Sequence, residues 1–123
     1  MPSLLKGKAR LIHTSSGSAL RFGKQFDIHD LQLEKEYRPE RAYGNAKLAT
    51  LLFMRELDRR YRSQGLVSVA FHPGIVGTNF ASDTTHLMRH VHHGPLKRFL
   101  TISPEKGAEQ LIWLATAKPI QDF

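Results

Sequence analysis

The chain has 123 residues, 41% of them hydrophobic, enough for one small globular domain and too few for two of ordinary size. Eighteen Lys and Arg against eleven Asp and Glu give a formal charge of +7, and with no cysteine the chain excludes disulfide frameworks, thiolate metal sites and cysteine nucleophiles. It contains no apolar run long enough to span a bilayer and its first residues lack a signal-peptide core, so a cytoplasmic chain with no membrane span is expected.

In chain order, "RLIHTSS" (Arg10 to Ser16) reads as a buried strand leaving its sheet through small hydroxyl residues and Gly17. Gly17 to Arg38 is polar and irregular, the pattern of a long surface excursion. Pro39 then stands where a first helical residue often does. Ala42, Ala46, Ala49, Phe53, Leu57 and Tyr61 follow the spacing of one helical face, and Leu48 and Leu52 occupy a second, so this helix has two sides to bury. Arg55, Arg59, Arg60 and Arg62 fall in its last turns, where cations suit the helix dipole; the basic balance therefore calls for no nucleic acid.

Gly65 can end the helix by taking a positive φ, and "LVSVAF" (Leu66 to Phe71) follows as a β-branched strand. A strand, helix, strand crossover makes the strands parallel, and in open α/β sheets ligands bind beyond the strands' carboxyl ends. That edge would gather the Ser15 to Ser18 cluster, "HPGIVGTNF" (His72 to Phe80) and the start of the helix at Tyr43. Residues 81–101 show no clear periodicity. Ser103 and Pro104 then mark the start of a last helix running through Ile112 and Trp113. Phe53, Met54 and Trp113 read as core residues.

Tyr43 and Lys47 lie four apart, one above the other on a helix. A tyrosine hydroxyl titrates near ~10 in water, so proton exchange at neutral pH needs something that favours the phenolate, and an ammonium one turn away can do so. A hydroxyl such as that of Ser16 could hold a substrate oxygen while Tyr43 gives or takes its proton. Taken singly, each residue has a plain structural explanation: turn serines, a half-buried aromatic, a solvated cation. The ordered set is what points to chemistry. His86 and His90 have helical spacing and His92 and His93 lie close by, yet no HExxH-type pattern accompanies them, so no metal is expected; His13 and His72 read as packed or solvent-facing.

With "RLIHTSSGSA", "DIHDLQLEKEY", "AYGNAKLATLLFMREL" and "VSVAFHPGIVGTNF" in this order, nearly the whole chain resembles the short-chain dehydrogenase/reductase family, and within it the retinol-dehydrogenase-like members. The resemblance implies an α/β fold of Rossmann type, a doubly wound parallel sheet of which residues 1–123 form the C-terminal part of a single domain. It implies Ser16, Tyr43 and Lys47 as catalytic residues, with Tyr43 and Lys47 also touching the cofactor and Pro73, Gly74, Ile75 and Thr78 near its nicotinamide. The cofactor would be NAD or NADP, and the substrate a small or lipophilic carbonyl or alcohol.

Two departures stand out. Ala46 precedes the lysine where the family commonly has serine. The nine glycines form neither GxGxxG nor TGxxxGxG, so the N-terminal cofactor-binding half is expected to be missing. A chain of that kind should expose apolar strand edges and associate with copies of itself or other proteins. The alternative to a working oxidoreductase is therefore a catalytically silent, truncated interaction module.

Overall fold

A computed structural model describes residues 1–77 and 101–117 and divides the chain into two units, Met1–His72 and Pro73–Phe123. In the first unit, a one-turn helix α1 (Pro2–Lys6) leads through Lys8, at φ 46°, into strand β1 (Arg10–Thr14). A short helix α2 (Ser18–Phe22) and a 3-10 turn (Gly23–Gln25) follow, then a long excursion to helix α3 (Pro39–Tyr61). Strand β2 (Val67–Phe71) closes the unit.

The two strands pair in parallel, from Arg10 opposite Val67 to Thr14 opposite Phe71. Parallel strands cannot be joined by a hairpin turn, and α3 supplies the crossover. Its ends follow from local chemistry. Pro39 has the helical φ and no N–H to waste at the first turn, while Gly65, at φ 89°, reverses the chain after a last 3-10 turn at Arg62–Gln64. Ala19, Leu33, Leu66, Val69 and Phe71 are the buried apolar residues of this unit.

The excursion is more ordered than its polarity suggests. Asp27 accepts the N–H of His29, and the two carboxylate oxygens of Asp30 accept the N–H groups of Glu34 and Lys35. These aspartate turns hold Leu33 inward, 2% exposed, at a φ of 56°.

In the second unit, Val76 and Ile102 form a parallel bridge, with Gly77 N–H donating to Ile102 O and Ile102 N–H to Ile75 O. Helix α4 (Pro104–Thr116) starts as the sequence indicates: Ser103 Oγ accepts the Lys106 N–H at 3.2 Å. A Cβ on Gly107 would lie 2.7 Å from Val76 Cγ2, so glycine lets α4 approach that segment closely. Among the described residues no helix is long and apolar enough to cross a membrane.

Several expectations are corrected. The β1 ladder ends at Thr14, although Ser15 N–H still reaches Phe71 O; β2 begins at Val67 rather than Leu66. On α3 the expected faces are covered only in part: Ala42, Leu48, Leu57 and Tyr61 are half-buried, whereas Ala46, Ala49, Leu52 and Phe53 are exposed, and Gly44, Asn45, Leu51 and Met54 belong to the covered side. Alanines do not reveal which face a helix buries, because they suit either environment. Phe53 and Trp113, read as core, are 57% and 53% exposed. The segment holding His86, His90, His92 and His93 lies outside the described residues.

Arg59, Arg60 and Arg62, at and just beyond the end of α3, pair locally. Glu56 binds Arg59 at 2.8 Å and Arg60 at 2.5 Å, and these hydrogen bonds, Arg59's first, hold its carboxyl down to about 2. Arg62 meets Asp58 at 2.7 Å.

Candidate active site

Parallel pairing sends the carboxyl ends of β1 and β2 to one edge, and the residues immediately after each strand sit there. After β1, Ser15 is buried and Ser16 half-buried. Ser15 is 5% exposed and its Oγ donates to the Lys47 carbonyl at 3.1 Å. Ser16 Oγ accepts the Ser18 N–H at 3.2 Å, which orders the turn into α2 and leaves its O–H free to donate to another group.

Tyr43 and Lys47 occupy the front of α3. The Lys47 ammonium lies 5.6 Å from the centroid of the Tyr43 ring, and the same Nζ donates to Thr14 O at 3.1 Å. The amine is thus tied to the last residue of the strand and stands beside the phenol. An ammonium has three N–H donors; with one on Thr14 O, two directions remain for other acceptors, a donor set suited to sugar hydroxyls.

The turn that carries Ser16 meets α3 at Gly44. A Cβ there would come within 2.9 Å of Ser18 O and 2.7 Å of Phe22 Cβ, so α2 rests on the helix at the residue next to Tyr43. Asn45, one position further, is 6% exposed. After β2, His72 is exposed, with its Nε2 3.5 Å from where a Cβ on Gly17 would lie. His13 is packed: its Nε2 is 3.1 Å from Ser68 Oγ across the strands, and its ring stands edge-on to Phe53.

The structure therefore brings Ser16, Tyr43 and Lys47 onto neighbouring elements of the first unit. Pro73, Gly74 and Ile75 belong to the second unit, where Gly74 adopts φ 84° and Ile75 is exposed. Thr78 lies outside the described residues. Sequence reasoning placed Ser15 in the strand-end cluster without giving it a role, and passed over Gly44. A glycine inside a helix costs roughly 1 kcal/mol relative to alanine, and that cost was the available sign of a close approach at Gly44.

No protein-family model matches the chain. Individual proteins do. Retinol dehydrogenase 14 of Mus musculus is 34% identical over 128 residues, covering 96% of this chain and 36% of that protein. Retinol dehydrogenase 13 of Homo sapiens is 32% identical, covering 93% of this chain and 35% of that protein. Retinol dehydrogenase 12 of Mus musculus is 47% identical over 68 residues, 55% of this chain and 21% of that protein. The chain spans about a third or less of the length of these curated relatives.

Proposed function

The chain belongs to the short-chain dehydrogenase/reductase family, and from that membership we propose that it takes part in reversible, nicotinamide-dependent oxidation of an alcohol to a carbonyl. The substrate class is a small or lipophilic alcohol or carbonyl, with retinol and retinaldehyde the first to try because the relatives carry that name. Residues 1–123 would form part of one Rossmann-type domain, and the chain would work in the cytoplasm.

In this reading Ser16 donates its free O–H to the substrate oxygen. Tyr43 takes the proton from the substrate hydroxyl in oxidation and returns it to the carbonyl oxygen in reduction. The Lys47 ammonium favours the negative charge that develops on the tyrosine oxygen during the transfer. NAD or NADP supplies the hydride acceptor or donor when bound. Lys47 and Tyr43 would hold its ribose, and Pro73, Gly74, Ile75 and Thr78 its nicotinamide side.

One observation carries the reading: a lysine one helical turn after a tyrosine has its ammonium beside the ring and fastened to the carboxyl end of a parallel strand. A lysine serving only solubility has no need of that anchor.

The test is calorimetric titration of the purified chain with NADH and NADPH, followed by turnover of lipophilic aldehydes. Saturable binding, with turnover lost in Tyr43→Phe while binding persists, is the expected result. No binding at millimolar cofactor would overturn the reading in favour of a catalytically silent interaction module.

A further inference from the structure

The double serine after β1 divides into two residues with different partners. Ser16 is half-buried, with its oxygen on the Ser18 N–H. Ser15 is buried, and a buried hydroxyl without a partner is costly, so the choice of partner matters. Its partner is the peptide carbonyl of Lys47 at 3.1 Å. A carbonyl inside a helix retains a second lone pair after accepting its helical hydrogen bond, so Ser15 can bind there without opening the helix.

Lys47 answers in the opposite sense, its Nζ donating to Thr14 O at 3.1 Å. The strand end and the helix are therefore joined by a closed pair of hydrogen bonds. Ser15 holds the backbone of Lys47, and Thr14 holds the tip of its side chain. Meanwhile the Ser15 N–H donates to Phe71 O at 2.9 Å, so the clamp is fastened to β2 as well as β1. A lysine side chain has a flexible four-carbon stem, and holding its ammonium beside a ring needs both ends fixed.

We infer that Ser15 is a positioning residue for the site: its hydroxyl fixes Lys47 against the end of β1, so that the ammonium reaches Thr14 O and stands beside Tyr43. The inference rests on the dehydrogenase reading for its effect on turnover, but not for its effect on Lys47.

The experiment compares Ser15→Ala, Ser15→Cys, Ser15→Thr, Ser16→Ala and Tyr43→Phe in the full chain. The Lys47 Cε resonance, assigned with Lys47→Arg in protein carrying labelled lysine, is followed alongside steady-state kinetics and thermal melting. Cysteine nearly preserves the volume but donates feebly, so it removes the hydrogen bond if alanine proves too disruptive to fold. Threonine restores the hydroxyl. Ser15→Ala and Ser15→Cys should displace the Lys47 resonance and lower kcat by about tenfold to a hundredfold with KM little changed. Ser15→Thr should recover both, and Ser16→Ala should leave the resonance in place.

A Lys47 resonance unmoved in folded Ser15→Ala and Ser15→Cys overturns the positioning role. If Tyr43→Phe turns over like the parent, or the parent does not turn over at all, the dehydrogenase reading fails instead, and the resonance alone decides for or against Ser15.

Discussion

Gly44 and Phe22 are packed so closely that a Cβ on the glycine would lie 2.7 Å from Phe22 Cβ, with Ser18 O at 2.9 Å on the same side. This contact seats the turn bearing Ser16 on the helix next to Tyr43. Neither obstacle is the end of a flexible side chain, so relief requires α2 to move. Gly44→Ala gains roughly 1 kcal/mol of helix propensity but, with backbone in the way, meets an overpacking cost of about 2–3 kcal/mol. A net loss of about 1–2 kcal/mol in a urea melt is expected, and a Gly44→Ala chain as stable as the parent would show that α2 does not rest there.

Asp58 is expected to make stability depend on pH. Burial pushes its carboxyl up, but the hydrogen bonds from Arg62 and from the Ser68 N–H outweigh burial, and the result lies below the ordinary value. A depressed carboxyl contributes stability that is complete above its unfolded value, about 4, and is lost as pH falls through the folded one. Acidification from pH 6 to pH 3 (roughly that unfolded range) should therefore destabilise the parent more than Asp58→Asn. Equal slopes for the two proteins would rule the contribution out.

Ser103 caps α4 through the Lys106 N–H. The same helix start, through the Glu105 backbone N–H and then the Ser103 hydroxyl, lowers the Glu105 carboxyl. Ser103→Ala should cost about 1 kcal/mol and Ser103→Asp should restore it. Faster amide exchange across 104–107 in the alanine variant alone is the measurement; identical exchange in both variants would remove the cap from consideration.

Leu52 and Phe53 are 48% and 57% exposed on α3, and among the described residues β1 is paired along one side only. Exposed apolar side chains near an unpaired strand edge favour association. Sedimentation of the parent should shift to larger species with concentration, and Leu52→Lys combined with Phe53→Lys should suppress the shift. A parent that stays monomeric at high concentration contradicts this expectation.

Much of the fold is legible in the sequence. Pro39 and Gly65 announced the limits of α3, Ser103 and Pro104 the start of α4, and the β-branched runs the two strands, because each signal acts on its own backbone within a turn or two. The spacing of Tyr43 and Lys47 was legible for the same reason: four residues along a helix is one turn wherever the helix lies. The ordered α2 and the aspartate turns of the excursion were missed, since they depend on carboxylates folding back onto nearby amides and on Leu33 finding a buried place.

Local periodicity and local end signals determined the two strands, the helices α3 and α4, and where the tyrosine and lysine stand relative to each other. Only the tertiary structure decided which face of α3 is covered, that Ser15 rather than Ser16 takes the Lys47 carbonyl, and that the lysine ammonium ends on Thr14. Those outcomes join residues about thirty positions apart, and such pairings are set by how the elements pack, which no short-range pattern encodes.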